Sequence, residues 1–130
     1  MGREIFSQAM LCKGYNTNYK IKGFVDDNKN VLRGFAGYPN VIDTVTNYIP
    51  EADDVFVCSM GNVIQKKRSI QTILGKGGKF INLIHTEASI GRNVKIGEGC
   101  IIFGKVFIHE ICRFIGRTFI HQPRKLIDIV

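Results

Sequence analysis

The sequence predicts an α/β domain over residues 1–82, followed by a short left-handed parallel β-helix over residues 83–130. Two observations predict this fold class. Helical and strand patterns alternate along the first eighty residues, which is typical of a parallel sheet with crossover helices. From Ile84 onward the apolar pattern changes to a period of six residues, which is typical of a β-helix. The length of 130 residues is enough for one domain or two very small ones.

The first domain is predicted from local periodicity and from turn residues. Its helices place apolar side chains at helical spacing, and its strands are short apolar runs that end in polar residues. The predicted elements are a helix at 2–14, a strand at 19–28, a helix at 41–49, a strand at 53–60, a helix at 63–74 and a strand at 79–84. Such a unit should open with a strand and a glycine-rich turn, and this chain opens on the helix. The motif G-x-G-x-x-G is absent, which disfavours a dinucleotide-binding reductase.

Two predicted strands end in polar residues that could bind a ligand. Asp26 and Asp27 lie at the end of the first strand, and Gly61 and Asn62 follow the second. Ligands of parallel α/β sheets bind at the carboxyl ends of the strands. Paired carboxylates there can accept hydrogen bonds from a ribose or from a base N–H. The alternative is that the aspartates are solvated turn residues, since Asp and Asn are common in turns.

The hexapeptide pattern runs from Ile84 to Ile120. A large apolar residue recurs at every sixth position, namely at Ile84, Ile90, Ile96, Ile102, Ile108, Phe114 and Ile120. A small residue follows four places later, namely Ala88, Val94, Cys100, Val106, Cys112 and Thr118. Neither a helix nor a half-buried strand gives this period. The pattern degenerates after residue 120, and three hexapeptides per coil would give two coils with an open strand edge.

The charge of the chain argues against a nucleic-acid partner. The formal net charge is +7, and it divides evenly: 11 basic and 7 acidic residues precede Ile84, and 7 basic and 4 acidic residues follow from there. The one basic run, Lys66-Lys67-Arg68, lies in a predicted helix. It is interpreted as a solvated helix face, with a phosphate-binding patch as the alternative.

Other bulk features favour a cytoplasmic protein without a metal. No stretch approaches the roughly 20 apolar residues that span a bilayer, and the first ten residues do not form a secretory signal. The four cysteines form no C-x-x-C, and no Cys/His group has zinc spacing, so no metal site is expected. Cys100 and Cys112 fit the repeat as small core residues with free thiols.

Four segments together resemble a known enzyme family. These are GREIFSQA at 2–9, GFVDDN at 23–28, VFVCSMGN at 55–62 and LIHTEASIGRNVKIGEGCII at 83–102. The chain is similar to the bacterial sugar O- and N-acetyltransferases typified by sialic acid O-acetyltransferase and the UDP-bacillosamine precursor acetyltransferase. The resemblance implies a Rossmann-like N-terminal domain that holds a nucleotide-sugar. It also implies a C-terminal left-handed β-helix that forms a homotrimer and binds acetyl-CoA between neighbouring copies.

The resemblance also implies roles for individual residues. Asp26 and Asp27 would bind the uridine part of a nucleotide-sugar, and Gly61 and Asn62 would line the same pocket. A histidine on a coil would be the general base that deprotonates the sugar amine or hydroxyl. His85 matches the family's histidine at the junction of the two domains, which implies a structural role.

The sequence departs from the family pattern in three places. The first strand and its glycine-rich loop are missing, Thr86 stands where the family has proline, and the repeats stop before the coils of the catalytic histidine and acetyl-CoA. The resemblance therefore implies a chain shortened at both ends. His121 and His109 each follow a core isoleucine and are the remaining candidates for the base, with surface histidines as the alternative.

Three hypotheses remain open from the sequence. The first is an acetyl-CoA-dependent sugar acetyltransferase. The second is a non-catalytic remnant that folds and trimerises or binds a nucleotide-sugar. The third is a purely oligomerising module without a ligand.

Overall fold

A computed structural model describes residues 2–92, 94, 96–102, 104, 107–108 and 124–129. The two helices are α1, Gly2–Ala9, and α2, Val63–Gly75. The longer strands are β1, Tyr19–Val25, β2, Val41–Asp43, β3, Asp54–Cys58, and β8, Arg124–Ile129. Four two-residue strands lie between β3 and β8 in the sequence: β4, Leu83–Ile84, β5, Ser89–Ile90, β6, Ile101–Ile102, and β7, Phe107–Ile108.

The longer strands form a parallel sheet in the order β2-β1-β8-β3. The last described strand, β8, lies between β1 and β3, so that Ile127 pairs with Gly23 on one side and with Phe56 on the other. The assignment of the whole segment 83–130 to a β-helix is therefore wrong for residues 124–129.

The composition of β8 explains its place in the sheet. Strands in the middle of a parallel sheet are covered on both faces and are accordingly apolar on both. In β8, Leu126 and Ile127 are buried on successive positions. The period of six predicts only that this segment leaves the repeat, because a short apolar run has no such period.

The core of the sheet has two layers because neighbouring strand residues face opposite sides. Val55, Val57 and Leu126 pack with Ile5 and Ala9 of α1. On the other face, a second buried group packs against α2 and contains Val25, Phe56, Cys58, Ile73, Phe80 and Ile127. Ile5 and Ala9 are four residues apart on the apolar stripe of α1. The sheet is thus covered by a helix on each face.

The predicted helix at 41–49 is wrong. Strand β2 occupies its first three residues, and a single turn follows. Val41, Ile42 and Val45 are β-branched residues, which fit a strand better than a helix. The turn is held locally, because Asp43 Oδ1 accepts a hydrogen bond from Thr44 N at 2.7 Å and Thr44 Oγ1 accepts one from Asn47 N at 3.1 Å.

The predicted strand at 79–84 is divided between two sheets. Phe80 forms a parallel bridge with Phe56, beside β3, whereas Leu83 and Ile84 pair with β6. The side chain of Asn82 lies at the change of direction, and its Oδ1 accepts a hydrogen bond from Cys100 N at 2.8 Å. The chain therefore leaves the four-stranded sheet at this asparagine.

The short strands pair with a constant offset. Leu83 pairs with Ile101 in parallel, and Ile90 pairs with Ile108. Both pairs join residues 18 positions apart, which equals three hexapeptide steps. This is the spacing that three hexapeptides per coil predicts; the β-helix itself stays a prediction.

The buried histidine His85 lies where the short strands meet α1 and its following turn. Its backbone N–H donates to Ile102 O at 2.9 Å, and its Nδ1 accepts a hydrogen bond from Glu87 N at 3.0 Å. A side chain at position 104 would collide with the ring, since a Cβ on Gly104 would lie 2.9 Å from His85 Nδ1. The neighbouring Thr86 donates its backbone N–H to Leu11 O at 3.2 Å. These contacts give His85 the structural role expected for it.

A charged network fixes the amino end of β3. Asp54 is buried, and its carboxylate accepts hydrogen bonds from Lys22 Nζ at 2.9 Å, Tyr48 OH at 2.6 Å and Glu51 N at 2.8 Å. Burial opposes ionisation of Asp54, but these hydrogen bonds outweigh it and lower the pKa of the carboxyl group. Carboxylate oxygens of Glu51, Asp53 and Asp54 lie within 4.8 Å of one another. Lys22 Nζ bonds two of these carboxylates and supplies the neutralising cation.

Candidate functional site

The candidate site lies at the carboxyl edge of the sheet. Asp26 and Asp27 follow β1, and residues 59–62 follow β3. Both strands run parallel to β8, so their carboxyl ends meet at the same edge. The crevice outside the carboxyl ends is where parallel α/β sheets bind ligands.

A cleft of about 370 Å³ opens at this edge. Loop residues after β1, β2 and β3 form one part of its wall, and one face of α2 forms the other. The lining residues are Asp26, Asp27, Asn28, Val45, Met60, Gln65, Arg68 and Ser69. The cleft is large enough for part of a nucleotide-sized ligand.

Both predicted aspartates line this cleft and use one carboxylate oxygen each to hold the loop. Asp26 Oδ1 accepts a hydrogen bond from Asn28 N at 2.7 Å, and Asp27 Oδ1 accepts one from Val45 N at 3.2 Å. Within the described residues, the second oxygen of each carboxylate has no hydrogen-bond donor and no ion-pair partner. Each aspartate can therefore accept a further hydrogen bond from a ligand.

Helix α2 contributes the opposite wall through three residues on one helical face. Gln65, Arg68 and Ser69 are spaced i, i+3 and i+4, so their side chains are neighbours. The helix is oriented by Ile73, which is fully buried against the sheet. Asn62 starts the helix, because its Oδ1 accepts a hydrogen bond from Gln65 N at 3.0 Å.

The other two predicted binding residues have a different placement. Gly61 and Asn62 are exposed and are not among the residues that line the cleft. The structure instead gives Asn62 the role of helix cap. Gln65 and Ser69 were not predicted from the sequence, and Arg68 was named only as part of the basic run with a phosphate-binding patch as the alternative. The i, i+3, i+4 spacing of these three residues on the helix after β3 was a usable signal.

A second group missed by the sequence analysis is the buried carboxylate of Asp128 in β8. Ser59 donates to it twice, from its hydroxyl at 2.8 Å and from its backbone N–H at 3.2 Å. Burial raises the pKa of Asp128 to about 7, while the Ser59 hydrogen bonds and the positive charges of the amino terminus and Lys66 act in the opposite direction. An aspartate inside an apolar run was the available signal, since carboxylates are rarely buried without a partner.

The candidate bases His109 and His121 lie outside the described residues. Their role, and the binding of acetyl-CoA by the coils, stay predictions from the resemblance. The described histidine, His85, is buried and faces Glu87 and Gly104 rather than the cleft.

Helices in the described residues are too short or too polar to cross a membrane. In comparisons with known proteins, no family model, no curated protein and no solved structure matches this chain. A function for this chain is therefore proposed from the geometry of the cleft and from the resemblance carried by the sequence motifs.

Proposed function

We propose that this chain binds a nucleotide-sugar in the cleft and acts as an acetyl-CoA-dependent acetyltransferase on the sugar amine or hydroxyl. The observation that carries the binding part is the pair Asp26 and Asp27. Both line one cleft at the carboxyl edge of a parallel sheet, and each keeps one oxygen without a donor in the described part of the chain. A ribose or a base N–H supplies the donors that such oxygens accept.

The acetyl-transfer part of the proposal is supported by the repeat. The parallel pairs β4·β6 and β5·β7 join residues 18 positions apart, as coils of three hexapeptides would. The sequence segments that resemble the acetyltransferases lie in both parts of the chain. In that reaction a histidine base, for which His121 and His109 are the candidates, takes the proton of the attacking amine or hydroxyl. The proposal includes the homotrimer, which would bring neighbouring coils together.

Binding and turnover can be tested separately. Isothermal titration with UDP-N-acetylglucosamine measures whether the cleft takes a nucleotide-sugar. Release of free coenzyme A from acetyl-CoA in the presence of a UDP-amino-sugar measures transfer. We expect both. Binding without coenzyme A release from the folded chain would support the non-catalytic alternative, and no binding at all would contradict the proposed function.

Neutralising either aspartate should weaken binding of UDP-N-acetylglucosamine about tenfold, which corresponds to the loss of one charge-assisted hydrogen bond. The amide oxygen of an Asp27→Asn or Asp26→Asn variant can still accept the backbone N–H bond, so the thermal midpoint without ligand should hardly change. Titration calorimetry of both variants beside the wild type gives the affinities.

The matched control is Glu4→Gln, which removes one exposed carboxylate from α1 on the opposite face of the sheet. Its affinity for the same ligand should equal that of the wild type. If all three variants bound as tightly as the wild type, the aspartates would be solvated turn residues, as the alternative in the sequence analysis holds.

A further inference from the structure

The three cations of the run Lys66-Lys67-Arg68 have different positions in the structure. Lys67 is exposed and Lys66 is partly covered, and neither lines the cleft. Arg68 is the member of the run that lines it, one turn after Gln65. Arg68 is exposed, as the interpretation of the run as a solvated helix face expects, and it also lines the cleft, where the alternative of a phosphate-binding residue applies.

Arg68 shares the cleft with two carboxylates and pairs with neither. In the described residues the ion pairs are those of Lys22 with Glu51 and Asp54 and of Lys29 with Asp43. The guanidinium group keeps its fork of N–H donors for a ligand. The first turn of α2 has no acidic side chain that would compete for it.

We propose that Arg68 binds a phosphate group of the nucleotide whose ribose or base is held by Asp26 and Asp27. This inference rests on the proposed function and names the chemical feature that the site selects. A planar guanidinium group matches a phosphate with two parallel hydrogen bonds. The two carboxylates repel a bare phosphate anion, so the site favours a ligand that carries hydrogen-bond donors at one end and a phosphate at the other. The ligand class is a nucleoside phosphate, and the cleft discriminates against both the nucleoside and inorganic phosphate.

The test compares three probes at one ionic strength, since phosphate contacts are sensitive to salt. Titration calorimetry of the wild-type chain with uridine, UDP and inorganic phosphate should give the tightest binding for UDP, at least tenfold tighter than for uridine. The Arg68→Gln variant should bind uridine as the wild type does and lose most of the advantage of UDP. An Arg68→Lys variant keeps the charge but cannot form two parallel hydrogen bonds. It should show only part of the wild-type advantage of UDP over uridine.

The control is Lys67→Gln, which removes the same charge from the adjacent position of the same helix; Lys67 is exposed like Arg68 but does not line the cleft. It should leave the affinity for UDP within about twofold of the wild type. Equal losses in Lys67→Gln and Arg68→Gln would overturn the inference, because the effect would then come from the general charge of the helix. If uridine bound as tightly as UDP, the phosphate-binding role of Arg68 would be overturned. Loss of that binding in Asp27→Asn would show that the proposed nucleoside site still stands. Inorganic phosphate that binds as tightly as UDP, without any effect of Asp27→Asn, would instead count against the proposed function.

Discussion

Replacing Ile127 by alanine is expected to lower the free energy of unfolding by about 2–4 kcal/mol, the range for a large-to-small exchange at a buried site. Ile127 is fully buried in the centre of β8, and β8 is hydrogen-bonded to β1 on one side and to β3 on the other. The missing side chain leaves a cavity among Phe56, Ile73 and Phe80. Urea denaturation followed by far-ultraviolet circular dichroism measures the change.

The control for this prediction is Ile49→Ala, the same chemical exchange at a side chain that is 78% exposed. It should change the free energy of unfolding by less than about 0.5 kcal/mol, as is usual for surface substitutions. Similar small changes for both variants would mean that residues 124–129 do not form the central strand. The pair thus tests the placement of β8 directly, and with it the part of the fold that the sequence analysis did not foresee.

The elements that the sequence predicted well depend on local information. The N-terminal helix, β1, β3 and α2 have apolar patterns that are visible within each segment, and α2 also has a capping residue, Asn62. The N-terminal helix ends at Ala9 in the structure, five residues before the predicted end at Gly14. The prediction was wrong where the local pattern was weak. Residues 41–49 had apolar spacing suited to a helix, but their β-branched side chains favoured the strand that the structure contains.

The place of β8 could not be predicted from periodicity because pairing between distant strands is not encoded in local spacing. Residues 124–129 lie more than 60 positions after β3 in the sequence, yet they pair with it along five residues. Only the topology of the sheet shows that Leu126 and Ile127 complete its two core layers. An apolar run near a degenerate repeat was compatible with either assignment.

The sequence predicted one wall of the candidate site and not the other, because only the first depends on local position in the chain. Asp26 and Asp27 directly follow a strand, so their position at the carboxyl edge was expected from the sequence. The face of α2 that joins them depends on how the helix packs on the sheet, which Ile73 decides. The same packing separates Arg68 from Lys67 within one basic run. Composition alone could not distinguish these two cations.

The buried carboxylate of Asp128 gives the chain a distinctive dependence of stability on pH. Its pKa is raised from 3.8 to about 7 in the folded chain, mainly by burial. Between these values the folded chain keeps a proton that the unfolded chain has lost, so the free energy of unfolding falls as the pH rises from about 4 to about 7. Below pH 4 both states are protonated and the penalty is absent. Above pH 7 the penalty is complete.

An Asp128→Asn variant is therefore expected to be more stable than the wild type above pH 7, by about 2–4 kcal/mol, and close to it at pH 4. The amide keeps the geometry of the pair, because its oxygen can accept from Ser59 N and its NH₂ group can donate to Ser59 Oγ.

Urea denaturation of both proteins at pH 4, 5.5, 7 and 8 gives the difference in the free energy of unfolding. Asp54 has a lowered pKa, so its ionisation makes the free energy of unfolding rise with pH. This contribution is the same in both proteins and cancels in the difference. The exposed exchange Glu4→Gln should give a difference near zero at every pH. A difference for Asp128→Asn that is constant from pH 4 to pH 8 would show that the carboxyl group is not buried in the folded chain, because a solvated carboxylate would ionise alike in both states.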